Sequence, residues 1–162
     1  MTILRADWHF LMRHPAHFFA FGFGSGLAPI APGTFGTLAA VPLYYGLASV
    51  LNAGQLYAVI ALAALAGIWF CRVAGRNIGV ADHGGIVWDE IVAFWLVLVF
   101  TPVQPLWIAA AFLLFRLFDI WKPFPIYWFD ARLKNGFGVM FDDLLAAGYT
   151  LAVLLGVQHW LA

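Results

Sequence analysis

All sixteen charged residues of this 162-residue chain lie in three stretches: three between Arg5 and Arg13, five between Arg72 and Glu90, and eight between Arg116 and Asp143. Residues 14–71, 91–115 and 144–162 hold no lysine, arginine, aspartate or glutamate. Uncharged runs of that length suit a hydrocarbon environment, where the backbone must satisfy its own hydrogen bonds and helices do so within one segment. Composition agrees: hydrophobic residues make up 64% and charged residues 10%, against about 25% charged in an ordinary soluble domain. The expected fold class is therefore all-α, a polytopic membrane helix bundle forming a single domain over residues 1–162. A net charge of zero offers no global attraction to nucleic acid. The one cysteine, Cys71, allows neither an internal disulfide nor a cysteine-rich metal site.

Five apolar segments are the expected spans, about residues 34–51, 56–73, 86–100, 106–118 and 144–161. A span needs about 20 residues, so the third and fourth are short. The second is rich in small residues (Ala61, Ala63, Ala64, Ala66, Gly67), which suits close helix packing. The connections 52–55 and 101–105 are uncharged, so five spans place all eight basic residues on one side of the bilayer. The positive-inside rule makes that side cytoplasmic, with the N-terminus inside and the C-terminus outside. Residues 1–20 mix Arg5, Asp7, Arg13 and three histidines with Trp8, Phe10, Leu11, Phe18 and Phe19, the pattern of an interfacial amphipathic helix. No cleaved signal peptide is expected, because glycines interrupt the apolar run that follows. Residues 22–37, GFGSGLAPIAPGTFGT, hold five glycines and two prolines. They read either as a broken start to the first span or as a re-entrant loop whose backbone N–H groups face an anion.

The chemistry-bearing residues sit where charge is costly. Asp89 and Glu90 lie one turn inside the third apolar segment, and ionised groups at membrane depth by default serve a function. Neighbouring helix positions point about 100° apart, so one carboxylate is expected to face a cavity and the other to flank it. Arg116, Asp119 and Lys122 recur every three residues, along one helix face that ends at Pro123 and Pro125. They form either a self-neutralising ladder or a set in which Asp119 orients one cation while the other meets phosphate. Asp130, Asp142 and Asp143 complete the acidic set, with Gly136 and Gly138 expected to bend the chain ahead of a final helix. The dipole at the start of that helix is a second reason for an aspartate there. Cations followed by paired carboxylates suggest phosphate and a hard divalent metal handled together, since Mg²⁺ takes carboxylate, phosphate and water oxygens. Asp82 either caps the following helix or joins the metal site; His83 is either a solvated loop residue or a proton shuttle. Other phosphatase chemistries lack their residues: Asn77 stands six residues after the one cysteine, Cys71, which Arg72 follows directly, so no Cys-x5-Arg loop exists, and there is no Asp-x-Asp-x-Thr motif.

Three blocks then give the chain an end-to-end resemblance to the phosphatidylglycerophosphatase A family: GFGSGLAPIAPGTFGTLAA (22–40), DHGGIVWDEIVAFW (82–95) and FRLFDIWKPFPIYWFDARLKNGFGVMFDD (115–143). The resemblance implies a bacterial, Mg²⁺-dependent phosphatase of the cytoplasmic (inner) membrane. It would act in glycerophospholipid biosynthesis, removing the terminal phosphate from phosphatidylglycerol phosphate to give phosphatidylglycerol. Departures are small: Thr37 stands for the family's usual serine, Ala93 for a glycine, and Ala146-Ala147 for Ala-Gly. On this reading Asp89, Glu90, Asp130, Asp142 and Asp143 form the metal-ligand pool. Lys122 contacts phosphate, Arg116 or Arg132 supplies a second cation, and Gly33 and Thr34 offer backbone and hydroxyl donors. The nucleophile is either water or one of the aspartates. The competing reading is a non-enzymatic membrane carrier or assembly factor. A carrier needs polar groups reachable from both faces, and the face opposite the charges is bare.

Overall fold

The computed structural model describes residues 6–161, and every regular element among them is helical. The first residues of the expected interfacial helix, Arg5 included, lie outside the described residues. From Trp8 to Ala20 the chain forms two short helices, α1 (Trp8–Met12) and α2 (Pro15–Ala20). The break follows from local chemistry. Asp7 caps α1 by accepting from Phe10 N at 2.8 Å, and His14 caps α2 by accepting from Ala16 N at 3.1 Å, with Pro15 in the first helical position. A 3-10 turn, Gly22–Leu27, leads to α3 (Pro32–Ala48). Then come α4 (Ala53–Ile78), α5 (Trp88–Val99), α6 (Pro105–Trp121), α7 (Ile126–Arg132) and α8 (Gly136–Leu161).

Two of these helices, α4 and α8, are long and apolar enough to cross a membrane. The others differ from the expected spans. α3 and α6 have 17 residues each and α5 has 12. At 1.5 Å per residue α5 is about 18 Å long, well short of a hydrocarbon core about 30 Å thick. It is also the hub of the fold. Every residue from Trp88 to Trp95 is buried, and α3, α4, α6 and α8 all pack against it. Its two indoles tie it in place: Trp88 Nε1 donates to Ala63 O and Trp95 Nε1 to Ala40 O, each at 3.0 Å. Both bonds give a buried polar group its partner while anchoring α5 to α4 and α3.

The final helix begins earlier than the sequence pattern suggests. Gly136 and Gly138 lie inside the first turn of α8, capped by Asn135 Oδ1, which accepts from Phe137 N and Gly138 N at 3.0 Å. The glycines serve close approach. A Cβ on Gly136 would overlap Ile68 O, and one on Gly138 would overlap Leu133 O. Gly67 does the same between α4, α5 and α8: a Cβ there would sit 2.6 Å from Met140 Sδ and 2.7 Å from Trp88 Cδ1. The outward faces stay apolar, with Leu62, Leu65 and Trp69 of α4 and Leu113, Leu117 and Ile120 of α6 all exposed.

The packing at Gly67 predicts that Gly67→Val destabilises the protein by roughly 1–3 kcal/mol through overpacking. Gly148→Ala, in open space on α8, should be neutral or slightly stabilising. Thermal unfolding in detergent would show a lower Tm for the first variant alone; equal Tm values would contradict this account of the α4–α8 contact.

Candidate active site: a buried carboxylate cluster

Two helices deliver the acids. Asp89 and Glu90 occupy the first turn of α5, whose cap residue Val87 makes no side-chain bond, so the positive end of the helix dipole meets negative charge. Asp143 comes from α8. It lies two turns beyond Gly136, past the reach of that helix's own terminal dipole. All three residues are buried, and one carboxylate oxygen from each can be chosen so that all lie within 4.8 Å of one another. Asp89 Oδ1, Glu90 Oε2 and Asp143 Oδ2 are buried with no hydrogen-bond partner. Buried carboxylates with orphan oxygens are expensive. An oxygen-only donor set of this kind fits a hard divalent cation.

A guanidinium closes one side of the cluster. Arg116 of α6 places Nη1 2.7 Å from Asp119 Oδ2, 3.6 Å from Glu90 Oε1 and 3.4 Å from Thr37 Oγ1. Its Nε is buried and has no partner. Gly33, at the start of α3, must be glycine for this arrangement: a Cβ there would collide with Glu90 Oε1 and lie 3.1 Å from Arg116 Nη2. Thr37 also donates to Gly33 O at 2.9 Å, which locks its hydroxyl into place.

Lys122 builds a second, adjoining group. It ends α6 in a left-handed conformation (φ 47°, ψ 63°), which costs a residue with a Cβ about 1–2 kcal/mol. Its Nζ lies 3.0 Å from Asp130 Oδ1 and also binds Asp142 Oδ2; Lys134 Nζ lies 3.2 Å from Asp130 Oδ2. Burial disfavours the Lys122 ammonium, yet the carboxylates of Asp142 and Asp130 outweigh it and hold its pKa well above the ordinary lysine value. Burial likewise works to raise the Asp130 pKa, but Lys122 and Lys134 prevail and keep it low. The adjacent aspartates of α8 therefore face different partners: Asp143 joins the orphan carboxylates, while Asp142 turns to Lys122.

The other expected site residues fall as follows. Thr34 is half-buried, and its N–H donates to Ala31 O at 2.9 Å. Arg132 is exposed, with its guanidinium stacked 4.0 Å above the Trp128 ring, and is not brought to either group. Asp82 is exposed and does not cap α5. His83 is half-buried and its Nδ1 accepts from Gly85 N at 3.0 Å; burial lowers its pKa despite the opposing charge of Asp82. Two further residues stand beside the cluster: Asp119, expected to orient a cation, and Thr37, which had no expected role at the site. Asp119 pairs with Arg116, and its three-residue spacing from that arginine was the signal for it. Thr37 carries a hydroxyl within the glycine-rich block and reaches the site through Arg116.

A frame of apolar helices closes around one buried acid–cation centre. The comparisons give the class. The family model for phosphatidylglycerophosphatase A matches residues 18–158. A phosphatidylglycerophosphatase A from Haemophilus influenzae is 48% identical over 149 residues, covering 91% of each chain. One from Escherichia coli K12 is 43% identical over 152 residues, covering 92% of this chain and 87% of that one. A putative phosphatidylinositol-3-phosphatase from Bacteroides thetaiotaomicron is 38% identical over 146 residues, covering 86% and 90%. No solved structure matches the chain. The chain belongs to the phosphatidylglycerophosphatase A family and is a phosphatase.

The Lys122 group yields a test by double substitution. Lys122→Met alone strands the nearly buried Asp142 carboxylate (side-chain exposure 6%). It should cost roughly 2–3 kcal/mol, below the full figure for a buried pair because Lys122 is partly exposed. Adding Asp142→Asn should recover part of that loss. Thermal unfolding of both variants reads the difference; a double variant less stable than Lys122→Met would contradict the pairing.

Proposed function

We propose that this enzyme removes the terminal phosphate of phosphatidylglycerol phosphate with the help of Mg²⁺, at a site facing the cytoplasm. The observation that carries this reading is the set of orphan oxygens on Asp89, Glu90 and Asp143 beside Arg116, in a chain of this family. The two relatives above 40% identity bear the phosphatidylglycerophosphatase A name and favour that headgroup over the inositol lipid named for the third. The reading includes a five-span arrangement in the cytoplasmic membrane of a bacterium. In it α3 and α6 cross with help from flanking residues, and the short α5 crosses within protein rather than lipid. It is supported by the exposed apolar faces and by the confinement of basic residues to residues 5–13, 72–76 and 116–134, which five spans would put on one side.

Asp89, Glu90 and Asp143 are the residues that would hold the ion. When bound, Mg²⁺ polarises the phosphoryl group and offsets its charge. Arg116 supplies the complementary contact, since its buried Nε–H is unspent and Asp119 fixes the guanidinium plane. Lys122 has three N–H donors and uses two on Asp130 and Asp142, which leaves one for a phosphate oxygen. Asp130 and Asp142 thereby act as positioning residues for Lys122. Gly33 leaves room for the Glu90 carboxylate and the Arg116 guanidinium to sit side by side. Hydrolysis breaks the P–O bond to the glycerol headgroup, puts the hydroxyl of water on phosphorus, and puts its proton on the departing alkoxide.

Purified protein in detergent micelles should release phosphate from phosphatidylglycerol phosphate with Mg²⁺ and lose that activity with chelator. Asp143→Asn should lower the rate by about a hundredfold or more while the helical circular dichroism signal is unchanged. Near-normal turnover in that variant would remove Asp143 from the site, and release unaffected by chelator would remove the metal.

A further inference from the structure

We propose that the cationic pocket between the end of α4 and the start of α8 binds the inner phosphodiester of the lipid substrate, the phosphate that hydrolysis leaves in place. This proposal rests on the phosphatase reading above and adds a second anion subsite beside the carboxylate cluster.

The pocket encloses about 280 Å³ between Arg72 and Arg76 of α4, Ala81 of the loop that follows, and Lys134, Asn135 and Gly136 where α8 begins. Its lining holds three cations and no carboxylate. Arg72 and Arg76 stand four positions apart on one face of α4, where like charges repel. Among the described residues neither forms a salt bridge. Gly136 lets the two walls approach: a Cβ there would lie 2.8 Å from Arg72 Cβ. The positive end of the 26-residue α8 adds to the same field. A concave lining with three cations attracts an anion, and without an acid it offers a hard metal ion no carboxylate.

Position selects the anion. Asp130 ties the pocket to the Lys122 group, since Lys134 Nζ lies 3.2 Å from its Oδ2 and Lys122 Nζ lies 3.0 Å from its Oδ1. Two ammonium groups held this way on one carboxylate are no more than about 8.5 Å apart. In phosphatidylglycerol phosphate the two phosphorus atoms are joined through the three carbons of the headgroup glycerol, a reach of about 7 Å at ordinary bond lengths. With the terminal phosphate on the remaining N–H of Lys122, the inner phosphodiester comes within reach of Lys134, and Arg72 and Arg76 complete its surroundings. Apolar surface lies beyond. Arg72, Asn135 and Gly136 also border a cleft walled by Ile68 and Phe137, and the exposed Leu65 and Trp69 of α4 are within one turn of Ile68. The lipid needs that order: monoester, phosphodiester, hydrocarbon. A phosphodiester seated among cations, away from the orphan oxygens, is held and not cleaved. Its charge-assisted contacts distinguish this lipid from phosphomonoesters that lack an inner phosphodiester.

The experiment follows hydrolysis of phosphatidylglycerol phosphate in neutral detergent micelles and its inhibition by two compounds. Phosphatidylglycerol keeps the inner phosphodiester and lacks the terminal phosphate; inorganic phosphate stands in for the terminal phosphate alone. The proteins are the unsubstituted chain, the double variant Arg72→Gln with Arg76→Gln, and Arg13→Gln, which removes an exposed cation outside the pocket lining. The double variant should raise KM about tenfold with kcat retained. Phosphatidylglycerol should compete with substrate on the unsubstituted chain and inhibit the double variant about tenfold less well. Inhibition by inorganic phosphate should not change, and Arg13→Gln should match the unsubstituted chain throughout. An unchanged KM in the double variant, a loss of kcat as expected from misfolding, or equal weakening of both inhibitors would overturn the proposal. So would absent or non-competitive inhibition by phosphatidylglycerol, the latter marking a lipid bound apart from the substrate. The same shifts in Arg13→Gln would also overturn it, by showing a general attraction of anionic lipid to the basic face. Failure of the unsubstituted chain to release phosphate would instead overturn the phosphatase reading, and the pocket proposal with it.

Discussion

Asp89, Glu90 and Asp143 crowd three acidic groups into a region from which solvent is excluded, and each keeps an oxygen that nothing in the protein satisfies. Packing alone gives no reason to keep them there, since apolar residues of similar size would cost less. The surrounding structure is arranged to tolerate them. The amino-terminal turn of α5 offers dipole, Arg116 offers a cation, and Gly33 withholds a side chain that would otherwise strike Glu90. What remains uncompensated is one oxygen on each of the three carboxylates.

The setting of α5 serves the same demand. A helix whose first turn lay at a solvent-facing surface would leave the acids hydrated and unremarkable in cost. This 12-residue helix is enclosed by four others and starts inside the protein. Enclosure is what makes that start tolerable, because the uncapped N–H groups and carboxylates meet protein rather than lipid. Trp88 and Trp95 fix its height by bonding to α4 and α3. The glycines at 67, 136 and 138 let α4, α8 and the preceding loop approach closely enough to complete the wall.

Much of this was legible in the sequence, and the exceptions have physical causes. The helical class follows from long uncharged runs, and Asp89-Glu90 stand out because their neighbours are apolar. The start of α8 was misjudged because Gly136 and Gly138 are equally good turn residues and contact residues; only the presence of Ile68 O and Leu133 O beside them decides which. The break at His14-Pro15 follows from capping that competes with a continuous amphipathic pattern. The division of labour between Asp142 and Asp143 depends on the rotation of α8 about its axis. Periodicity does not supply that angle until the partners are known. Asp130 was grouped with the other acids by proximity in sequence, yet α7 delivers it to Lys122 and Lys134. Asp119 was visible as a neighbour of Arg116, but its place beside the cluster depends on how α6 leans on α5.

The most direct test asks whether the three orphan carboxylates hold an ion at all. Mn²⁺ is a spectroscopically visible substitute for Mg²⁺ in an oxygen-ligand site. Electron paramagnetic resonance of the purified protein should show bound Mn²⁺ in an all-oxygen environment, displaced by Mg²⁺ and absent when Asp89→Asn and Asp143→Asn are combined in a protein that remains helical. Binding of undiminished strength in that double variant, or none in the unsubstituted chain, would contradict a metal centre built on Asp89, Glu90 and Asp143.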